Sequence, residues 1–320
     1  MSAKSSQGCW GKQRMDDQAQ VLRRLMEKKS YIPENPPKST RIITVTSGKG
    51  GVGKSNFTLN FALALQEMGY RVLILDADLG LANLDVLMGI RPKYNLYHML
   101  TKRISVWDII HESHGIQLIA GGSGLSELVA MTEKEQDRFA EQISLLHGHV
   151  DFLLLDTGAG ISEQTLHFVW SSDETIVVTT PEPTAITDAY ALIKSAAFGE
   201  GAAATSLPSI RLVINRITAE KEGRQTGDKM HLAARRFLQM ELPVLGCVAD
   251  DPSVVKAVKL QTPLLKAFPN SRAAKNIKDL ALRYTSAAGA HAQDKPLPGV
   301  KGFLQSMMTW MKGADGNKLR

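Results

Sequence analysis

Between residues 41 and 290 the chain alternates two patterns. Short runs are apolar at nearly every position, and between them apolar residues return every three or four positions. The runs cover 42–47, 71–78, 116–122, 151–158, 174–181, 210–216 and 244–251. The helical periods cover 54–68, 132–147, 184–198 and 228–240. A strand that is apolar on both faces is buried on both faces, so this alternation predicts a mostly parallel sheet of seven strands between two helical layers. The fold class is α/β, three-layered, in one domain over 41–290.

The ends follow other patterns. Residues 16–29 place Ala19, Val21, Leu22, Leu25 and Met26 on one side of a helix and Gln20, Arg23, Arg24 and Glu27 on the other. A helix this short is marginal alone in water, where about 12–15 residues are needed even for good sequences. The segment 1–30 is therefore expected to fold on something else. Residues 31–40 carry three prolines and form a linker. At the other end, 291–320, a second linker leads to a helix over 301–312. Its Phe303, Leu304, Met307, Met308, Trp310 and Met311 share one face.

Charge sharpens this division. The net charge is +6, yet residues 1–41 hold nine Lys or Arg against four acids and residues 295–320 hold five against one. The domain between them is mildly acidic, which argues against a basic groove for duplex nucleic acid. No apolar run reaches the roughly 18–20 residues of a spanning helix, and the first residues lack the apolar core of a signal peptide. Cys9 and Cys247 are the only cysteines, too few for a disulfide framework or a cluster site within one chain. A cytoplasmic protein is expected.

The chemistry begins at Ser47-Gly48-Lys49-Gly50-Gly51-Val52-Gly53-Lys54-Ser55, directly after the first strand and at the start of a helix. Glycines there let backbone N–H groups turn toward phosphate oxygens, and the helix N-terminus adds partial positive charge. Lys54 is placed to reach the β- and γ-phosphates, the Ser55 hydroxyl to hold Mg²⁺, and Asn56 follows in the same turn. Two strands then end in carboxylates, Asp76 and Asp78 after one and Asp156 after another, where parallel sheets gather their ligands. A guanine-reading NKxD is missed by both 274–279 and 316–320. ATP is the expected nucleotide. The stretch 111–114, HESH, lacks the spacing of a zinc helix and reads as a solvated loop.

Gly48 to Ser55, with the additional Lys49, resembles the deviant P-loop of the MinD/ParA-like ATPases. The stretch from Asp76 through Asp78, Gly80 and Asn83 to Asp85 resembles their switch I, and Asp156 to Gly160 their switch II. The resemblance spans about 41–285 and implies a P-loop NTPase fold of the SIMIBI class. It also implies that ATP is sandwiched in a homodimer, with Lys49 reaching the partner's phosphates and Asp78 positioning the attacking water. Mg²⁺ would be held by Ser55, Asp78 and Asp156. Asn215 and Arg216 match the adenine-reading positions, and Glu182 matches a residue that approaches the partner's ribose.

The ends narrow the resemblance. Asp17 to Arg23 matches the DQAxxLR signature of the FlhG branch, which controls flagellar number and placement. There the helix stimulates an SRP-type GTPase, FlhF. That implies a role for Gln18 at the partner's active site, for Leu22 and Leu25 as apolar anchors, and for Arg23 on acidic or phosphate groups. Flagellar switch (C-ring) proteins are a further partner class that the resemblance allows. Residues 301–312 resemble the helix that brings this family to anionic lipids at the inner face of the plasma membrane. Packing of that helix on its own domain is the competing reading. A division-site MinD and a ParA-type DNA-partitioning ATPase are the alternatives within the family.

Overall fold

A computed structural model describes residues 39–78, 83–121, 132–199, 209–291 and 299–316. The expected N-terminal helix and most of the linker after it lie outside these residues. Among them are eight strands: β1 (Arg41–Ser47), β2 (Val72–Ala77), β3 (Ile110–Ser113), β4 (Ile116–Ile119), β5 (Phe152–Ala159), β6 (Glu174–Thr179), β7 (Ser209–Ile217) and β8 (Val244–Ala249). They form one sheet in the order β3-β4-β2-β5-β1-β6-β7-β8, parallel except for the β3–β4 pair.

β3 corrects the reading of 111–114. Ile110–Ser113 pairs antiparallel with β4 through the two-residue turn His114-Gly115, whose φ angles are 54° and 84°. Two positive φ angles match the twist of a tight hairpin. The strand had no apolar run to announce it, because at the sheet edge His111, Glu112 and Ser113 need no second buried face.

Side chains alternate across the strands and divide the core. Ile43 and Val45 of β1 join α1 (Lys54–Glu67) on one face, and Ile42 points to the other. The second face is covered by a separate set of helices. Its short members are α3 (Leu96–Thr101) and α4 (Val106–Ile109), and its longer ones α5 (Glu133–Ser144), α6 (Glu163–Ser171), α7 (Pro183–Phe198), α8 (Glu220–Ala233) and α12 (Gly299–Gly316). The first face is completed by α2 (Leu84–Met88), α9 (Pro252–Lys259), α10 (Leu264–Ala267) and α11 (Arg272–His291). α8 begins eight residues earlier than its apolar period suggests, and a π turn (Ala234–Leu238) ends it.

Candidate functional site

The loop between β1 and α1 lies where the strands end. Gly51 and Gly53 hold φ of 79° and 93°, a region that side chains rarely enter. A Cβ at Gly53 would strike the Asn215 amide, and one at Gly48 would strike the backbone of α7 at Asp188. The loop is thus wedged between β7 and α7. Nothing lies within 4 Å of a Cβ built at Gly50 or Gly51, so this part of the loop faces open space. Asn215 Nδ2 donates to the Val52 carbonyl at 2.7 Å, which ties the end of β7 to the Gly-rich loop.

The two lysines of the loop take opposite postures. Lys54 is buried; its Nζ donates to Asp156 Oδ1 at 3.0 Å and to Ser55 Oγ at 3.1 Å. The Thr58 hydroxyl donates to the same Asp156 oxygen at 2.8 Å. Lys49 is 39% exposed on the rim, with Nζ 3.1 Å from Glu182 Oε2 and 2.8 Å from Thr184 Oγ1 at the start of α7.

The sheet register sets Asp76 of β2 directly opposite Asp156 of β5. Burial, and then the like charge of Asp156, pushes the Asp76 carboxyl up to about 7. Asp76 Oδ1 accepts the Asp78 N–H at 3.2 Å, which fixes the start of switch I. The Asp78 carboxylate reaches the flank of Gly158 in switch II. Two repelling carboxylates beside a buried lysine and a serine hydroxyl form a hard-oxygen setting that a divalent cation relieves, so these residues fit Mg²⁺ with a nucleotide. Thr58 was not among the site residues read from sequence, and Asp76 was read only as a strand-end carboxylate with no role of its own. The strand-end rule flags Asp76; nothing in the sequence singles out Thr58.

Beside the loop opens a cleft of about 270 Å³ lined by Thr180, Pro181, Glu182, Arg216, Thr218, Glu222 and Asp250. Arg216 holds φ of 58° and lies 3.8 Å from Asp250, so the chain turns sharply after Asn215 to point this side chain into the cleft. The Thr180 hydroxyl is buried without a partner. Asp250, Thr218 and Glu222 extend the set predicted from sequence.

A family profile described as "ParA: NUBPL iron-transfer P-loop NTPase" matches residues 38–284. The chain belongs to the MinD/ParA family of P-loop ATPases. As a member of that family it is similar to the antiactivator FleN of Pseudomonas aeruginosa, at 37% identity over 77% of this chain and 86% of FleN. The flagellum site-determining protein YlxH of Helicobacter pylori is 35% identical over 93% of this chain and all of YlxH. Among solved structures, the septum site-determining protein MinD of Pyrococcus horikoshii, complexed with Mg-ADP, aligns with a TM-score of 0.61 at 27% identity. That alignment covers 79% of this chain and 99% of that one. The eight-stranded, mostly parallel sheet is the fold of this family.

The helix expected at the membrane has its apolar face in the core. Val300, Phe303, Leu304 and Met307 of α12 are buried, Met308 is half-buried, and Phe303 stacks on Phe168 of α6 with ring centres 6.5 Å apart. The side chains of Trp310 and Met311 lie outside the described residues. Packing is therefore the arrangement seen here, since the same apolar stripe that suits lipid fits the groove between α5 and α6. No helix among the described residues is long and apolar enough to cross a membrane. Gln18, Leu22, Arg23 and Leu25 also lie outside them.

Proposed function

We propose that this chain is an ATPase of the FlhG type, which regulates flagellar number and placement as an ATP-dependent homodimer. The posture of Lys49 carries the proposal. Lys54 is buried in the loop's own interior, whereas the second lysine lies on the exposed rim, where only the exchange of Glu182 and Thr184 separates it from a neighbour's phosphates. Bound Mg-ATP supplies the phosphoryl group that passes to water. With nucleotide bound, Lys54 would pair with phosphate oxygens in place of Asp156, and Ser55, Asp78 and Asp156 would hold Mg²⁺. Asp78, held by Asp76 and flanked by switch II, positions the water. Lys49 exchanges Glu182 for the partner's phosphates and acts as a cation supplied in trans. Glu182 is then released toward the partner's ribose, and Asn215 and Arg216 receive adenine.

The flagellar reading is supported by the relatives named FleN and YlxH, the latter similar over 307 residues, a span longer than the ATPase domain. A division-site MinD shares the domain, and such relatives are about 30% identical over 70–75% of this chain. On the flagellar reading, Gln18, Leu22, Arg23 and Leu25 engage an SRP-type GTPase of the FlhF type, and α12 engages anionic lipid once it leaves its seat. A peptide covering residues 1–35 should raise GTP hydrolysis by the matching GTPase, and the same peptide with Gln18→Ala should not. No stimulation by the unaltered peptide would remove the flagellar partner and leave the ATPase; equal stimulation by both peptides would remove the role of Gln18.

A further inference from the structure

One buried carboxylate serves the roots of both ends of this chain. Asp173, 7% exposed, lies between α6 and β6. Its Oδ2 accepts the Ile42 N–H at 2.7 Å, and its Oδ1 accepts the Gly299 N–H at 3.0 Å. Ile42 is the second residue of β1, which carries the N-terminal arm, and Gly299 is the first residue of α12. The two roots also touch. A Cβ on Gly299 would lie 3.2 Å from the Thr40 carbonyl, and Gly299 holds φ of 55°. Thr40 is itself fixed, its hydroxyl donating to the Val150 carbonyl at 2.8 Å and accepting the Gly148 N–H at 2.9 Å.

A carboxylate taken out of water needs donors on both oxygens, and here each root supplies one. Burial pushes Asp173 above the usual carboxylate range, and the two N–H groups pull it back. When α12 lifts, Asp173 loses the Gly299 donor and meets water, so the acceptor that holds Ile42 changes its surroundings in the same event. Two further parts of the seat, Phe168 stacked on Phe303 and Ser171 bonded to Ser306 at 2.8 Å, lie on α6 immediately before Asp173.

We infer that Asp173 is a shared latch, through which the seating of the C-terminal helix and the ordering of the N-terminal arm's root form one coupled equilibrium. By linkage, whatever favours one end unseated favours the other by the same factor. The consequence rests on the proposed roles of the ends: a GTPase held by the arm and a membrane held by α12 would then sense each other.

Amide hydrogen exchange on the full chain, without lipid or GTPase, tests the latch. The Ile74 amide in the middle of β2 serves as the reference for global opening. Asp173→Asn keeps the shape but offers one acceptor oxygen. It should speed exchange at Ile42 and across 299–308 at least tenfold relative to Ile74, with ADP affinity unchanged. Phe303→Ala leaves Asp173 intact and loosens α12 from its apolar side; Ile42 should again speed up together with the helix. Faster helix amides in Phe303→Ala with Ile42 moving only as Ile74 does would overturn the latch. So would an Asp173→Asn effect confined to Ile42, or no change in either variant. Because no lipid or GTPase is present, the result is independent of whether those partners prove correct.

Discussion

Lys49 and Lys54 lie five residues apart on one loop, yet their surroundings differ sharply. Lys54 is held inside by Asp156 and Ser55, whereas Lys49 makes an exposed pair with Glu182, of a kind worth about 0–1 kcal/mol. Lys49→Ala should therefore leave the melting temperature and ADP affinity nearly unchanged. ATP turnover should fall about a thousandfold or more, the range for a cation supplied in trans. Turnover at the original rate in this variant would end the trans-lysine reading. Gly53 shows the opposite sensitivity. Its φ of 93° and the Asn215 amide in front of it leave no room for a methyl group, so Gly53→Ala should abolish nucleotide binding, measured by calorimetry. The glycines and lysines of this loop were legible because the spacing itself encodes the chemistry. Asp76 was only half legible: the strand end marked it, but its opposition to Asp156 comes from the register of two strands about eighty residues apart.

At the scale of elements, the parallel strands were readable because burial on both faces leaves an unbroken apolar run. The edge strand β3 and the helices of four to six residues were not, since neither period completes a cycle in so few positions. α6 connects the phosphate site with the C-terminal helix. It begins just after Asp156–Gly160 and ends against α12. On it, burial holds the His167 imidazole down at about 4, with Glu163 opposing weakly, and the ring meets Trp170 edge-on with centres 5.0 Å apart. In the unfolded chain this histidine takes a proton near its ordinary value of about 6.5. The folded state refuses it until about 4, so stability is complete above the unfolded value and declines as pH falls between the two. His167→Gln should flatten the fall in melting temperature between pH 7 and pH 5. An unchanged slope would show that other groups govern acid stability.

For the whole molecule the decisive element is α12, and its sequence has two readings. An amphipathic stripe records that one face avoids water, but not whether protein or lipid covers it. Here protein covers it: Phe303, Leu304 and Met307 belong to the same core as Ile42 of β1 and Phe168 of α6. Membrane binding on the proposed reading therefore competes with the helix's own seat. The free energy of unseating is drawn from the lipid contacts, and a single short helix has little to spare. Two helices in one dimer gain from effective concentration, so affinity should rise steeply when ATP joins two copies. Cosedimentation with vesicles containing anionic lipid should accordingly require ATP, weaken with salt and be absent with ADP. Phe303→Glu makes the prediction strict. The substitution places a charge in the seat as well as on the lipid-facing stripe, so it should expose the helix and still prevent pelleting. Pelleting of the unaltered protein to the same extent with ADP as with ATP would mean that the seat does not gate the helix, and that dimerisation and membrane binding are separate events.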